Sequence, residues 1–255
     1  MKKVSKGIEP PLLANYRDIN PDNEWEQFTS KKYRRNQTQV QIKADQGGLC
    51  AYCEIDLVEK IEDELDDFRV EHFHPKSDGT VPHNWHLDWQ NLLGCCHGGS
   101  QRNVVDASYR FTSPDVSCDV PKGSQNLDNV ILNPLHIPAF PKIFSCERTT
   151  GEFSVDSENC EQANISVEKA QNTIIELNLD TERLRRFRRE ILNKLNDDVR
   201  RLVSQGFSIG EAQKRLAEVN LKKNTNGHWP KFFTSIRSYL GSTAERQLLS
   251  IHYDG

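Results

Sequence analysis

Four short groups of residues carry side chains able to do chemistry, and all of them fall between Leu49 and Gly123. In the first, Cys50-Ala-Tyr-Cys53, two residues separate a pair of cysteines. That spacing lets both sulfurs of a tight turn reach one tetrahedral zinc ion. The second, Val70-Glu-His-Phe-His-Pro-Lys-Ser77, sets an acid beside a histidine at the end of a predicted strand. The third, Trp89-Gln-Asn-Leu-Leu-Gly-Cys-Cys96, places Asn91 five residues before Cys96. In the fourth, Ser117-Cys-Asp-Val-Pro-Lys-Gly123, a cysteine is followed by an acid and then a lysine. Each alone has a bland reading: a chance or redox CxxC, a surface ion pair, buried cysteines acting as plain hydrophobes. Together, in one order, they favour a functional reading.

The elements that must position these groups can be sketched from pattern. Residues 1 to about 22, with Glu9-Pro10-Pro11 and Asn20-Pro21-Asp22, read as an extended arm. A helix follows from about Glu24 to Asp45 and stops at Gly47-Gly48. Strands are predicted over Tyr52 to Leu57 and Phe68 to Phe73, with the acidic run Glu59 to Asp67 between them as a solvated loop or helix face. Asn126 to Phe144 suits a Pro-broken connector over a core. Beyond Ser166 helices dominate. The strongest runs from Asp180 to Val203 and carries Leu184, Phe187, Ile191, Leu195, Val199 and Leu202 at helical spacing, with Asp180 or Thr181 as cap and Gly206 as stop. Further helices are predicted from about Ser208 to Leu221 and Trp229 to Leu240. The aromatic residues Trp85, Trp89, Trp229, Phe232, Phe233 and Tyr239 are expected in the core.

Composition narrows the class. The chain has 255 residues, 36% hydrophobic and 27% charged, with no apolar run near the roughly 20 residues a bilayer span needs. Four Trp, eleven Phe and six Tyr argue against disorder. The basic start lacks an apolar segment behind it, so no export signal is expected and the cytoplasm is the expected compartment. There the seven cysteines are metal ligands or free thiols, not a disulfide framework. With 33 Lys and Arg against 37 Asp and Glu, the net charge is −4. A nucleic-acid binder with that balance needs either clustered basic residues or a partner that supplies the grip.

The order CxxC, Glu-His-x-x-Pro-x-Ser, Asn-Leu and Cys…Cys-x-x-x-Lys resembles the zinc-stapled HNH endonucleases, whose core is a ββα-metal finger. The resemblance implies an α+β fold with an N-terminal arm and helix over 1–45, an HNH core over 46–145 and a mainly helical C-terminal region over 146–255. It implies that Glu71 and Asp119 hold a catalytic magnesium or manganese ion. His72 is then the general base and Asn91 supports it. Cys50, Cys53, Cys96 and Cys118 would hold a structural zinc. Two departures stand out. An insertion separates Cys96 from Cys118, leaving Cys95 as an alternative third thiolate, and Asp119 stands where the family has His or Asn.

A narrower resemblance rests on Lys-Gly-Ile-Glu-Pro-Pro at 6–11, Gln46-Gly-Gly-Leu-Cys-Ala-Tyr-Cys53, Leu92-Leu-Gly-Cys-Cys-His-Gly-Gly99 and Asn133-Pro134. These resemble the Septu-type (PtuB-like) anti-phage HNH nucleases and their retron-associated relatives. That implies a PtuA-like partner ATPase, a DNA or tRNA substrate, and association with a retron reverse transcriptase and its DNA product.

In this reading His72, near its ordinary pKa, takes a proton from water. The ion neutralises the phosphate and the leaving 3′ oxygen. His74, Lys76 and Lys122 are candidate phosphate contacts. So are Arg185, Arg186 and Arg189, from an arginine-dense helix whose bland reading is a solvated face. The competing class is a zinc-finger binding module that has lost catalysis.

Overall fold

The computed structural model describes residues 1–59 and 65–255. Most of the acidic run predicted as a solvated loop, residues 60–64, lies outside the described residues. The chain folds as α+β, mostly helical, with two small sheets among the described residues. No described helix is long and apolar enough to cross a membrane.

The N-terminal arm is not extended throughout, because α1 spans Pro11–Ile19. Pro11 stands at the first helical position, where a missing N–H costs nothing, and Leu-Leu-Ala continues the turn. The helix expected over 24–45 is two, α2 (Trp25–Thr29) and α3 (Lys32–Asp45). Between them Thr29 and Ser30 turn their hydroxyls onto the carbonyls of Trp25 and Gln27, the local competition that weakens a helix interior. The break lets Phe28 fold back into a cluster with Leu13, Ile42, Leu87, Trp89 and Leu92.

Gly47 and Gly48 end α3 in the left-handed region. A Cβ on Gly47 would stand 2.4 Å from the Trp229 ring, so only glycine fits. The chain then reverses through Cys50–Cys53. The strand expected over 52–57 does not form. Cys50 N–H donates to Ile55 O and Glu54 N–H to Cys50 O, with Glu54 at φ +64°. An extended strand would send neighbouring side chains to opposite faces; this knuckle gathers them.

The strand pair is instead β1 (Arg69–His72) with β2 (Leu92–Cys95), antiparallel, with Glu71 opposite Leu93 and His72 opposite Leu92. A short 3₁₀ turn over Trp89–Asn91 leads into β2. Two one-turn helices follow, α4 (Ala107–Arg110) and α5 (Asp119–Lys122). A second hairpin, β3 (Phe144–Cys146) with β4 (Phe153–Val155), precedes α6 (Ser157–Gln162) and α7 (Val167–Glu176). The last three helices are α8 (Glu182–Ser204), α9 (Ile209–Asn220) and α10 (Phe233–Ser250). Thr181 caps α8 as expected, and Ser208 forms a capping box with Glu211 on α9. The helix predicted over 229–240 starts later and runs on to Ser250, through a non-helical Gly241.

The main apolar cluster joins Met1 and Val4, the knuckle, β2, the β3–β4 hairpin and Leu184 and Phe187 of α8. A second cluster packs α8, α9 and α10 around Trp229, Phe233 and Tyr253. The buried face of α8 includes two arginines, Arg183 and Arg188.

Candidate metal centre and catalytic cleft

The knuckle presents Cys50 and Cys53, the end of β2 brings Cys96, and Cys118 enters from just before α5. Their four sulfurs all lie within 4.8 Å of one another, and each residue is at most 4% exposed. Cys53–Cys96 and Cys96–Cys118 stand 3.6 Å apart and Cys50–Cys118 3.8 Å. Sulfurs placed about 2.3 Å from a tetrahedral centre stand roughly 3.8 Å apart, so the four thiols fit zinc without rearrangement. Burial works against ionisation of Cys50. The hydrogen bonds converging from Cys118, Cys53, Cys95 and Cys96 nevertheless hold it well below the ordinary thiol range. Cys95 is fully buried on β2 outside this foursome, and burial pushes its thiol up. The 97–117 insertion therefore leaves the fourth corner in place: Cys118 N–H is held by Leu177 O, and Arg183 of α8 grips the Ser117 hydroxyl.

The end of β1 and the start of α5 meet at a cleft of about 420 Å³ lined by Trp25, Arg69, Glu71, His72, Lys76 and Asp119, among others. The period-two alternation of β1 places Arg69 and Glu71 on one face. Arg69 Nη2 donates to Asp119 Oδ2 at 2.6 Å. Lys122, one turn after Asp119, donates from Nζ to Glu71 Oε1 at 2.7 Å and to His72 O at 3.1 Å. Asp119 Oδ1 is buried with no hydrogen-bond partner, an orphaned acceptor at the position where a cation would sit. Burial and the neighbouring Asp119 carboxylate raise Glu71 to about 8, against the pull of Lys122. Burial also raises Asp119, with Arg69 opposing. Two buried carboxylates that resist ionising together suit a hard divalent cation.

The His72 ring packs edge-on to Trp25, and its Nε2 lies 3.2 Å from the His86 carbonyl oxygen. A carbonyl only accepts, so Nε2 carries the proton and the Nδ1 lone pair is free in the neutral ring. The expectation of a near-ordinary pKa does not hold. Burial pulls His72 down to about 4, which leaves it neutral at physiological pH.

Asn91 does not hold the His72 ring directly. Its Oδ1 accepts from His74 N–H at 2.7 Å, and its Nδ2 donates to His74 O at 2.9 Å and Trp85 O at 3.0 Å. It thereby clamps both ends of the 74–85 loop, which leads directly into His86.

Two of the expected phosphate contacts are not free cations. Lys122 is only 1% exposed and committed to Glu71. His74 is buried, stacked on Trp85, with Nδ1 at Asp128 and Nε2 at Asp78. Lys76 lines the cleft, half-buried and paired with Glu26.

The arginines of α8 divide between the interior and the partly exposed face. Arg183 and Arg188 point inward, and Arg188 donates to the carbonyls of Gly151 and Leu179. Arg185 pairs with Asp180, Arg186 reaches Tyr109 O, and Arg189 reaches Thr150 O and Glu182. They staple α8 to its surroundings, and none of them lines the cleft. A dense arginine run looks like a surface patch until carbonyls from distant loops are seen to fill its forks.

Sequence reasoning missed Arg69, Trp25 and the His86 carbonyl. Arg69 was findable, two residues before Glu71 on a strand; the other two lie far off in sequence and carry no motif.

The fold is α+β, with a four-thiol knuckle able to hold a metal ion beside a cleft where paired acids and a neutral imidazole converge. No protein-family model matches the chain. It is 33% identical over 264 residues to the Escherichia coli protein described as "Retron Ec83 putative HNH endonuclease", covering 94% of this chain and 93% of that one. The chain belongs to that HNH endonuclease family.

Proposed function

We propose that this protein is a metal-dependent HNH endonuclease that hydrolyses phosphodiester bonds of nucleic acid as the effector of an anti-phage complex. The observation that carries the reading is the cleft where Glu71, Asp119 and neutral His72 meet beside the four-cysteine knuckle, with Asp119 Oδ1 left unpaired. The β1–β2 pair and α5 correspond in this reading to the ββα-metal finger, and Cys50, Cys53, Cys96 and Cys118 would hold its structural zinc. Four protein ligands leave zinc no open position, so its contribution is to the fold.

Glu71 and Asp119 would hold magnesium or manganese, which when bound neutralises the phosphate and the departing 3′ oxygen. His72 takes the proton of the attacking water at Nδ1, while the His86 carbonyl fixes the ring through Nε2. Arg69 and Lys122 orient the two carboxylates. Lys76 is the cleft cation best placed to meet a phosphate.

DNA is the favoured substrate and tRNA the alternative. With a net charge of −4, the free chain is a weak nucleic-acid binder, which fits recruitment by a PtuA-like ATPase. The retron name of the relative supports association with a reverse transcriptase and its DNA product. The test incubates purified protein, alone and with a PtuA-like ATPase, with plasmid DNA and total tRNA in magnesium. Cleavage should appear in at least one arm and vanish in His72→Ala, whose zinc content is unchanged. Cleavage that persists at the wild-type rate in His72→Ala, or an absence of cleavage in every arm, overturns the proposal.

A further inference from the structure

The cleft already contains its own cations. Glu71 Oε1 is taken by the ammonium of Lys122 at 2.7 Å and Asp119 Oδ2 by Arg69 at 2.6 Å. Lys122 is 1% exposed, Asp119 6% and Glu71 9%, so water does little to screen these charges. With both carboxylates ionised, the state a bound divalent ion requires, the two acids and the two cations cancel. Each carboxylate keeps one oxygen for another ligand, Glu71 Oε2 and the unpartnered Asp119 Oδ1.

Two consequences follow for a divalent ion. Magnesium and manganese take about six oxygen ligands, and this chain offers two of them, so the rest must come from water or substrate. Adding two positive charges to a buried group that is already neutral is also unfavourable unless an anion enters with them. A phosphodiester supplies both missing things, a negative charge and ligand oxygens.

We infer that Lys122 and Arg69 act as resident counter-cations that make divalent-ion uptake conditional on the nucleic-acid phosphate, so that ion and substrate bind synergistically. This rests on the metal-binding reading of Glu71 and Asp119. The same protein, with the same cysteine knuckle, is measured with and without probe, so the knuckle drops out of the comparison. The coupling is reciprocal: the ion tightens phosphate binding by the factor that phosphate tightens ion binding. A chain with too little positive charge to hold nucleic acid by itself would then stay unloaded until substrate is delivered, which keeps the cleft idle between deliveries.

The test measures Mn²⁺ affinity by electron paramagnetic resonance on the full chain carrying His72→Ala, so that nothing is hydrolysed. The probes are the dinucleotide dTpdT at millimolar concentration and a 20-base-pair DNA duplex. Coupling of the usual size predicts Mn²⁺ binding about tenfold or more tighter with either probe than without. Lys122→Met, added to this background, should bind Mn²⁺ at least about tenfold tighter with no probe present, and Lys122→Arg should not. Zinc content and circular dichroism report whether Lys122→Met has folded, and if it has not, the comparison with and without probe still decides. Equal Mn²⁺ affinity with and without both probes overturns this inference and leaves the metal site standing. Failure to bind Mn²⁺ under any condition overturns the metal site itself, and this inference with it.

Discussion

Replacing Cys118 with serine should unfold the centre of the molecule, whereas the same change at Cys95, on β2 one residue before Cys96, should not. Cys118 has no solvent exposure, and its sulfur lies 3.6 Å from Cys96 and 3.8 Å from Cys50. It also starts the helix that carries Asp119. Serine offers a poorly ionised hard oxygen in place of a soft thiolate, so the tetrahedron loses a corner. A structural zinc contributes on the order of 10 kcal/mol, comparable with the whole stability of about 5 to 15 kcal/mol of a typical domain. Cys118→Ser should therefore lose its zinc and most of its cooperative unfolding transition. Cys95→Ser only buries a hydroxyl where a thiol packed, a cost of about 1 to 3 kcal/mol. For a chain of this size that lowers Tm by less than about 12 °C, with zinc retained. The assay is zinc by plasma mass spectrometry alongside scanning calorimetry of both variants. A Cys118→Ser protein holding one full equivalent of zinc near the wild-type Tm would refute the four-thiol site. A Cys95→Ser protein that loses zinc would refute the assignment of its third corner.

Asn91→Ala leaves His74 N–H, His74 O and Trp85 O without their partner. It should cost about 3 kcal/mol in urea unfolding and lower the cleavage rate by releasing the 74–85 loop, whose end precedes the His86 carbonyl. Arg188→Leu strands the Gly151 and Leu179 carbonyls in the interior and should cost more than about 3 kcal/mol, whereas Arg189→Ala, partly exposed, should cost less than about 1 kcal/mol. Equal effects at the two arginines would restore the solvated-face reading of α8. Burial raises Glu71 from 4.5 to about 8, so its native-state contribution is fully present below pH 4.5 and lost as pH rises through about 8. A divalent ion needs the ionised carboxylate. With dTpdT present, stabilisation by Mn²⁺ in thermal scans should therefore grow from pH 6 to 8.5, and a pH-independent shift would count against Glu71 as a ligand.

The sequence by itself determined the parts whose signal is local. CxxC spacing, the Glu-His pair, the cap and apolar stripe of α8 and the Gly47-Gly48 stop each depend on neighbours within one or two turns of chain, and each is present in the structure. The order of the motifs, with the matching stretches at 6–11 and 46–53, was enough to point to the HNH family that the Escherichia coli relative supports. Locality also explains the errors. The alternation of Ile55 and Leu57 with Glu54 and Asp56 satisfies a strand pattern, but the cost of separating Cys50 from Cys53 is invisible until the other two sulfurs are in place. Thr29 and Ser30 do not forbid a helix; burial of Phe28 against Leu13 and Leu92 decides the break.

Tertiary structure alone decided the charges of the cleft. A lysine three residues after an acid is as well suited to solvent as to the interior. Only the approach of β1 to α5 turns Lys122 onto Glu71 and Arg69 onto Asp119. The same holds for His72, whose pKa depends on how deeply Trp25 and the His86 loop bury it. The arginines of α8 were legible as charges but not as staples, because many of their acceptors are backbone carbonyls, which every residue has and no motif records. Residue type fixes which atoms can ionise or donate; burial and partners, set by residues far apart in the chain, fix whether they do.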